Sequence, residues 1–135
     1  MNIIIRLENQ NDYEEVEDLT REAFWDIYHP GCEEHFVVHK LRKVSAFIPE
    51  LDFVAVQDDQ IVGNIIYSKS KVVDRNNNEH EVLTFGPISV LPSLQKQGIG
   101  SALIEHTKKL AETMGYKAIV IFGNPAYYHR FGFKS

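Results

Sequence analysis

The sequence predicts one mixed α/β domain, an antiparallel meander of strands followed by a single strand–helix–strand unit. Three observations carry this reading. Apolar, β-branched runs recur through the first ninety or so residues, joined by short polar turns. A long amphipathic helical pattern over residues 98–114 is bracketed by glycines. A short, nearly all-apolar run follows at 117–122, the mark of a buried parallel strand. The length, 135 residues, suits one domain spanning 1–135, whose folding buries roughly 68% of the surface the unfolded chain exposes.

The elements follow in order. Residues 3–7 form a β-branched first strand. Asn11 stands three residues before Glu14, a capping-box-like helix start with Asn in place of Ser or Thr. Tyr13, Val16, Leu19, Ala23 and Phe24 then fall near helical spacing. Pro30-Gly31 separates this helix from a second over 33–44, with Phe36, Val37, Leu41 and Val44 as its apolar stripe. Residues 51–56 read as a strand, Asp58-Asp59-Gln60 as a turn, and 61–67 as the returning strand, continuing toward Val73. The polar cluster from Asp74 to Glu79 is a hairpin tip, because Asn and Asp tolerate turn conformations. Residues 81–90 are its partner strand, ending near Pro92. Ile99, Ala102, Leu103, Leu110 and Met114 make the stripe of the long helix, and Gly115 is its C-cap. A strand, helix and strand in that order argue for a parallel crossover. Residues 125–130 have room for one or two helical turns.

Composition excludes several classes. The chain is 44% hydrophobic and 24% charged, as in ordinary soluble proteins. No stretch approaches the ~20 apolar residues that cross a bilayer, and the first ten residues lack the features of a signal peptide. With 14 basic and 19 acidic residues the net charge is −5, and no basic run offers a nucleic-acid surface. Cys32 is the single cysteine, which forbids an internal disulfide and favours a cytoplasmic home.

Chemistry concentrates in the segment from Phe85 to Ser101. A strand ends at Val90, a loop runs through Gln95, Lys96 and Gln97, and a helix begins at Gly98-Ile99-Gly100. Backbone N–H groups at a helix start lack intrahelical acceptors, and the helix dipole adds positive potential there. Together they suit a phosphate or pyrophosphate, and the glycines keep side chains out of its path. A dinucleotide fold is excluded by Leu103, where its third glycine belongs, and by the long loop before Gly98. A P-loop is excluded by the absence of its lysine motif.

Gln95-Lys96-Gln97-Gly98-Ile99-Gly100 resembles the Q/R-x-x-G-x-G/A signature of the GCN5-related N-acetyltransferase (GNAT) family. The run from Gly86 to Pro92 resembles the strand and loop that precede that signature. The run from Gly123 to Phe133 resembles the second landmark of the family, a Tyr followed by a basic residue and Gly-Phe, in wording most similar to its YhbS-like branch. The resemblance implies a GNAT-type fold with splayed parallel strands, and an enzyme that transfers the acetyl group of acetyl-CoA to a primary amine by direct attack in a ternary complex. It implies that Gln95, Lys96, Gln97, Gly98, Ile99, Gly100 and Ser101 bind the pyrophosphate. The main chain of Ile88, Ser89 and Val90 would pair with the pantetheine arm, in a wedge between 88–90 and 119–122. Asn124 would lie near the cofactor. Tyr128 aligns with the tyrosine that protonates the departing thiolate, a sensible acid with a phenol pKa near 10, and Tyr127 ranks second. The acceptor is a small-molecule or peptide amine. The alternative is an acyl-CoA-binding or sensing module without turnover.

The remaining candidates carry less. No general base is assigned, since Glu79 and Glu81 belong to the hairpin tip. His35 and His39 share the i, i+4 spacing of metal ligands but lack the catalytic Glu between them, and no metal is expected. Cys32 has no marked partners. Arg130 suits a cofactor phosphate or an exposed ion pair. Trp25, Tyr28 and His29 crowd the junction of the first two helices, which borders the acceptor pocket in the family. Members of the family continue past the Gly-Phe landmark with two more strands that this sequence does not include, and the expectation is either a truncated chain or a second subunit that supplies the missing wall. The strand at 117–122 is then a hydrophobic edge, and the expectation is a homodimer through it or a marginally stable chain.

Overall fold

Four strands pair in the order of the chain. In the computed structural model, which describes residues 2–27 and 30–120, β1 (Ile4–Leu7), β2 (Phe53–Gln57), β3 (Gln60–Val73) and β4 (Glu79–Val90) form one antiparallel sheet in the order β1-β2-β3-β4. The expected crossover follows. Leu83 N–H donates to the Ala118 carbonyl at 3.0 Å, and Val120 N–H donates to the Leu83 carbonyl at 2.7 Å, in a parallel bridge of Leu83 with Ile119. Residues 121 and 122 of the expected wedge and dimer edge lie outside the described residues.

The sheet is covered on both faces where residues 53–55 of β2 and 61–67 of β3 lie, and these residues are buried. α3 (Ile99–Thr113) packs Ile99, Leu103, Ile104 and Ala111 on Phe53, Ala55, Ile65 and Tyr67. α1 (Tyr13–Phe24) and α2 (Glu34–Leu41) place Val16, Leu19 and Val38 on Val54, Ile61 and Ile66 of the opposite face. The approach of α3 depends on Gly63. A Cβ there would stand 2.9 Å from Ile99 Cγ2, which close packing does not tolerate.

Local chemistry moves several boundaries. Asn9, not Asn11, opens the first helical segment, because its side chain accepts from Asn11 N–H at 3.0 Å while the Asp12 carboxylate accepts from Asn9 N–H at 2.9 Å. Asp12 also holds Arg6 of β1 at 2.7 Å, which ties strand to helix. β2 starts at Phe53 rather than 51, because Pro49 seeds a 3-10 turn over Pro49–Leu51. α2 ends at Leu41, short of Val44. Gly115 behaves as expected, with φ 93° and its N–H on Glu112, while Tyr116 N–H closes on Ala111, a Schellman end. At the hairpin tip Asp74 accepts from Asn76 and Asn78 N–H, and its other oxygen meets His80 at 2.9 Å.

β4 carries one extra residue. Phe85 stands opposite Tyr67 and Ile88 opposite Ile65, so the register shifts across Gly86-Pro87. Proline has no N–H to give a ladder, and glycine bends freely, so both suit a bulge.

Candidate functional site

The end of β4, the loop after it and the start of α3 surround one cleft of about 730 Å³. Ile88, Val90, Gln95, Lys96, Gly98, Ile99, Gly100 and Ser101 line it, eight of the residues singled out from sequence. Ala23, Phe24 and Ile27 of the α1 end supply the facing wall. Their role was not legible in sequence, where Ala23 and Phe24 read only as part of a core stripe. Gln97 is exposed and does not line the cleft. Ser89 is buried, and its hydroxyl donates to Thr20 Oγ1 at 3.2 Å beneath α1. Its side chain thus points away from the cleft. Asn124, Tyr127, Tyr128 and Arg130 lie outside the described residues, as do Tyr28 and His29.

Backbone geometry makes the cleft a place for an anion. Gly98 caps α3 with φ 92°, and Lys96 also takes a left-handed φ of 64°. The chain thereby turns sharply into the helix. The Gly98 carbonyl already accepts from Ala102 N–H, so the amides of Ile99 and Gly100 belong to the first turn and have no acceptor within the helix. The dipole of a fifteen-residue helix adds to them, and the Lys96 ammonium stands at the same rim. Among the described residues no Asp, Glu or His lines this cleft.

The β4 edge contributes main-chain groups. Leu91 N–H donates to Val62 of β3, so strand alternation turns the Val90 and Ile88 main-chain groups to the opposite edge. The Val90 carbonyl accepts from Gln95 Nε2 at 3.2 Å, which fastens the loop to the strand end. Among the described residues the Ile88 N–H and carbonyl have no partner on that edge.

A second cleft, about 590 Å³, lies across the 3-10 turn Pro92–Leu94. Arg21, Glu22, Trp25, Leu91, Pro92 and Ser93 line it, with the Arg21 guanidinium 4.4 Å from the Trp25 ring centroid.

Polar groups buried far from both clefts form a network. Arg42 clasps Glu8 with two bonds, of 3.0 and 2.8 Å, and Glu17 with a third of 2.6 Å. Burial alone would lower the guanidinium, and the hydrogen bonds it donates to both carboxylates, with their charges, more than offset it. Asp52, 2% exposed, lies against Glu8, and Asn64 Nδ2 donates to it at 3.1 Å. Burial pushes the Asp52 carboxyl up to about 9, and the hydrogen bond and charge of Glu8 add to the shift. Asp52 is therefore protonated at neutral pH. Its native pKa lies above the ordinary value near 4, so its contribution to stability is complete below pH ~4 and is lost as pH rises toward 9. The slope is at most about 1.4 kcal/mol per pH unit. Asp52→Asn keeps an acceptor for Asn64 and gives a donor to Glu8, without the titration. The variant's melting temperature should hold between pH 5 and pH 8, where that of the wild type falls. Scanning calorimetry at the two pH values checks this, and parallel declines would contradict it.

The histidine pair of α2 divides between partners. His35 Nδ1 meets Cys32 Sγ at 3.5 Å, and His39 Nδ1 meets Glu17 at 3.0 Å. Burial raises the Cys32 thiol, which disfavours its thiolate form. Among the described residues no group of three or more His, Cys, Asp or Glu is placed to hold a metal. No helix among them is long and apolar enough to cross a membrane.

Comparison with known proteins gives consistent results. A family model described as an acetyltransferase (GNAT) domain matches residues 50–135. The chain is 29% identical over 133 residues to the N-acetyltransferase YhbS of Escherichia coli K12, covering 98% of this chain and 74% of that protein. It is similar to a GNAT family acetyltransferase from Brucella melitensis solved with acetyl-CoA, with TM-score 0.86 and 32% identity over 99% of this chain and 84% of that one. YhbS of Escherichia coli, solved with CoA, superposes with TM-score 0.84 and 27% identity over 99% of this chain and 69% of that one.

Proposed function

Because the chain belongs to the acetyltransferase (GNAT) family, we propose that it transfers the acetyl group of acetyl-CoA to the primary amine of a small molecule or peptide. The observation that carries the reading is the cleft itself. It combines a strand edge at Ile88 that has no partner among the described residues, a cationic residue at Lys96 and the first-turn amides of Ile99 and Gly100. A long thioester with a phosphate-rich end fits that sequence of groups. The Ile88 N–H and carbonyl pair with amide groups of the pantetheine arm, as an added strand would. The α3 amides and Lys96 take the pyrophosphate. Ala23, Phe24 and Ile27 exclude water from the arm.

The thioester supplies an activated acyl carbon. The amine nitrogen adds to the thioester carbon to form the new C–N bond, the C–S bond then breaks with the phenolic proton of Tyr128 passing to the departing sulfur, and the proton shed by the new amide nitrogen returns through water to the phenolate. The cytoplasm is the setting that suits a chain with one buried thiol. Release of CoA from acetyl-CoA in the presence of an amine library tests the reading. CoA binding without release in the presence of any amine would favour a sensing module instead.

The phosphate seat has its own test. Gly98 is a poor probe, because its φ strains any other residue. Gly100, within the helix, accepts a side chain with less disturbance of the fold. Gly100→Val should weaken CoA binding more than about tenfold, or 1.4 kcal/mol, with the melting curve preserved. Wild-type affinity by calorimetry in that variant would remove the loop from the binding site.

A further inference from the structure

We propose that Asp26 is a positioning residue for acetyl transfer, whose carboxylate ties the neck of the segment that follows α1 and thereby holds Ile27 in place as the outer wall of the cleft. This rests on the reading of that cleft as the acetyl-CoA site. The chain leaves α1 through a turn of type II form. Trp25 takes φ −60° and ψ 124°, Asp26 a left-handed φ of 57°, and Ile27 N–H donates to the Phe24 carbonyl at 3.2 Å. The third position of such a turn is a place for glycine, which meets no Cβ penalty there. Aspartate tolerates that region better than most residues, but at a cost that glycine avoids. What the side chain does in return is visible across the neck.

Gly31 N–H donates to Asp26 Oδ1, and Asp26 N–H donates to the Gly31 carbonyl at 2.9 Å. Asp26 thus engages both main-chain groups of Gly31. Gly31 is itself left-handed, with φ 73°, and the Trp25 ring stands 3.6 Å from the place of its missing Cβ. The Arg21 guanidinium lies 4.4 Å from a ring centroid of the same indole, and the buried Cys32 thiol donates to the Arg21 carbonyl, so both sides of the neck are anchored to the last turn of α1. The turn decides where each side chain goes. Phe24 and Ile27, its first and fourth residues, line the cleft with Ile88 and Val90 of β4, whereas Trp25, the second, lines the other cleft. Phe24 belongs to α1 and is placed by it. Ile27 lies beyond the helix and is 62% exposed, so its position is set by its backbone, and the neck sets the backbone.

Calorimetric titration of the full chain with CoA, with a melting curve for each variant, tests the assignment. Asp26→Gly is the discriminating change, because it keeps the left-handed turn and removes only the carboxylate. It should weaken CoA binding by about three- to tenfold, the worth of one hydrogen bond, and retain a cooperative melting transition. Asp26→Asn keeps an oxygen for Gly31 N–H and tolerates the same backbone, so its CoA affinity should match the wild type. Ile27→Ala should weaken CoA to a similar extent, and adding Asp26→Gly to it should cost nothing more, since the carboxylate acts through that side chain. Wild-type affinity in Asp26→Gly, a loss in Asp26→Asn, or additive losses in the double variant would overturn the proposal while leaving the acetyl-CoA reading intact. Loss of the cooperative transition in Asp26→Gly would overturn it too, because the clasp would then hold the fold and not the wall. Failure of the wild type to bind CoA would overturn that reading, and the proposal with it.

Discussion

Arg42→Ala is expected to lower the melting temperature by about 10–20 °C, a cost of about 3–5 kcal/mol. Glu8, whose side chain is 0% exposed, has its two oxygens on this guanidinium. Removing the cation leaves a carboxylate in a dry site beside Asp52, which is itself a carboxyl. Such a loss is about a fifth or more of the stability of an ordinary domain. The ring of Tyr13, 4.1 Å from the guanidinium carbon, loses its cation as well. A double-mutant cycle separates the pair from the packing. Glu8→Gln with Arg42→Met should be less destabilised than Arg42→Ala, because no buried charge remains. A single variant melting within about 2 °C of wild type would mean that water reaches Glu8 and that the network is not closed.

The second large effect is on turnover. Tyr128→Phe removes one hydroxyl, and kcat should fall about 10²–10⁴-fold, the range of general acid catalysis. Acetyl-CoA binding should change little, since the phenol acts on the leaving sulfur and not on the ground state. The assay requires conditions in which chemistry, not product release, limits the rate. Unchanged turnover there would remove Tyr128 from the mechanism and promote Tyr127 for the same test.

Much of the fold was legible because local periodicity and global topology agree. The hairpin around Asp74, the parallel return after α3 and the glycine-bracketed helix each announce themselves within about twenty residues. The loop-helix half of the site was legible for the same reason, since Gln95 to Ser101 is contiguous. What escaped depends on separation. Arg42 meets Glu8 across 34 positions, and no spacing rule pairs them. Asp52 read as a strand residue, although a lone acid beside an apolar run was a signal of burial. Asn64 was the matching signal in β3, a polar amide within otherwise apolar positions, fully buried in the structure. The α1 wall was missed because apolar residues facing a cleft and apolar residues facing a core have the same pattern. Ser89 was read for its main chain alongside Ile88 and Val90, and the place of its side chain, which alternation sends to Thr20, was not part of that reading.

The extra residue at Gly86-Pro87 sets the reading frame of β4. Upstream of it the odd-numbered Leu83 and Phe85 join the α3 side of the core, and downstream the even-numbered Ile88 and Val90 do. Parity changes once, at the bulge. Deleting either Gly86 or Pro87 would restore unbroken alternation and turn the strand end inside out. The Ser89 hydroxyl would then take a place on the cleft wall, and two aliphatic side chains would be driven under α1 against Thr20. The apolar lining of the cleft is therefore encoded less by which residues β4 contains than by how many precede them.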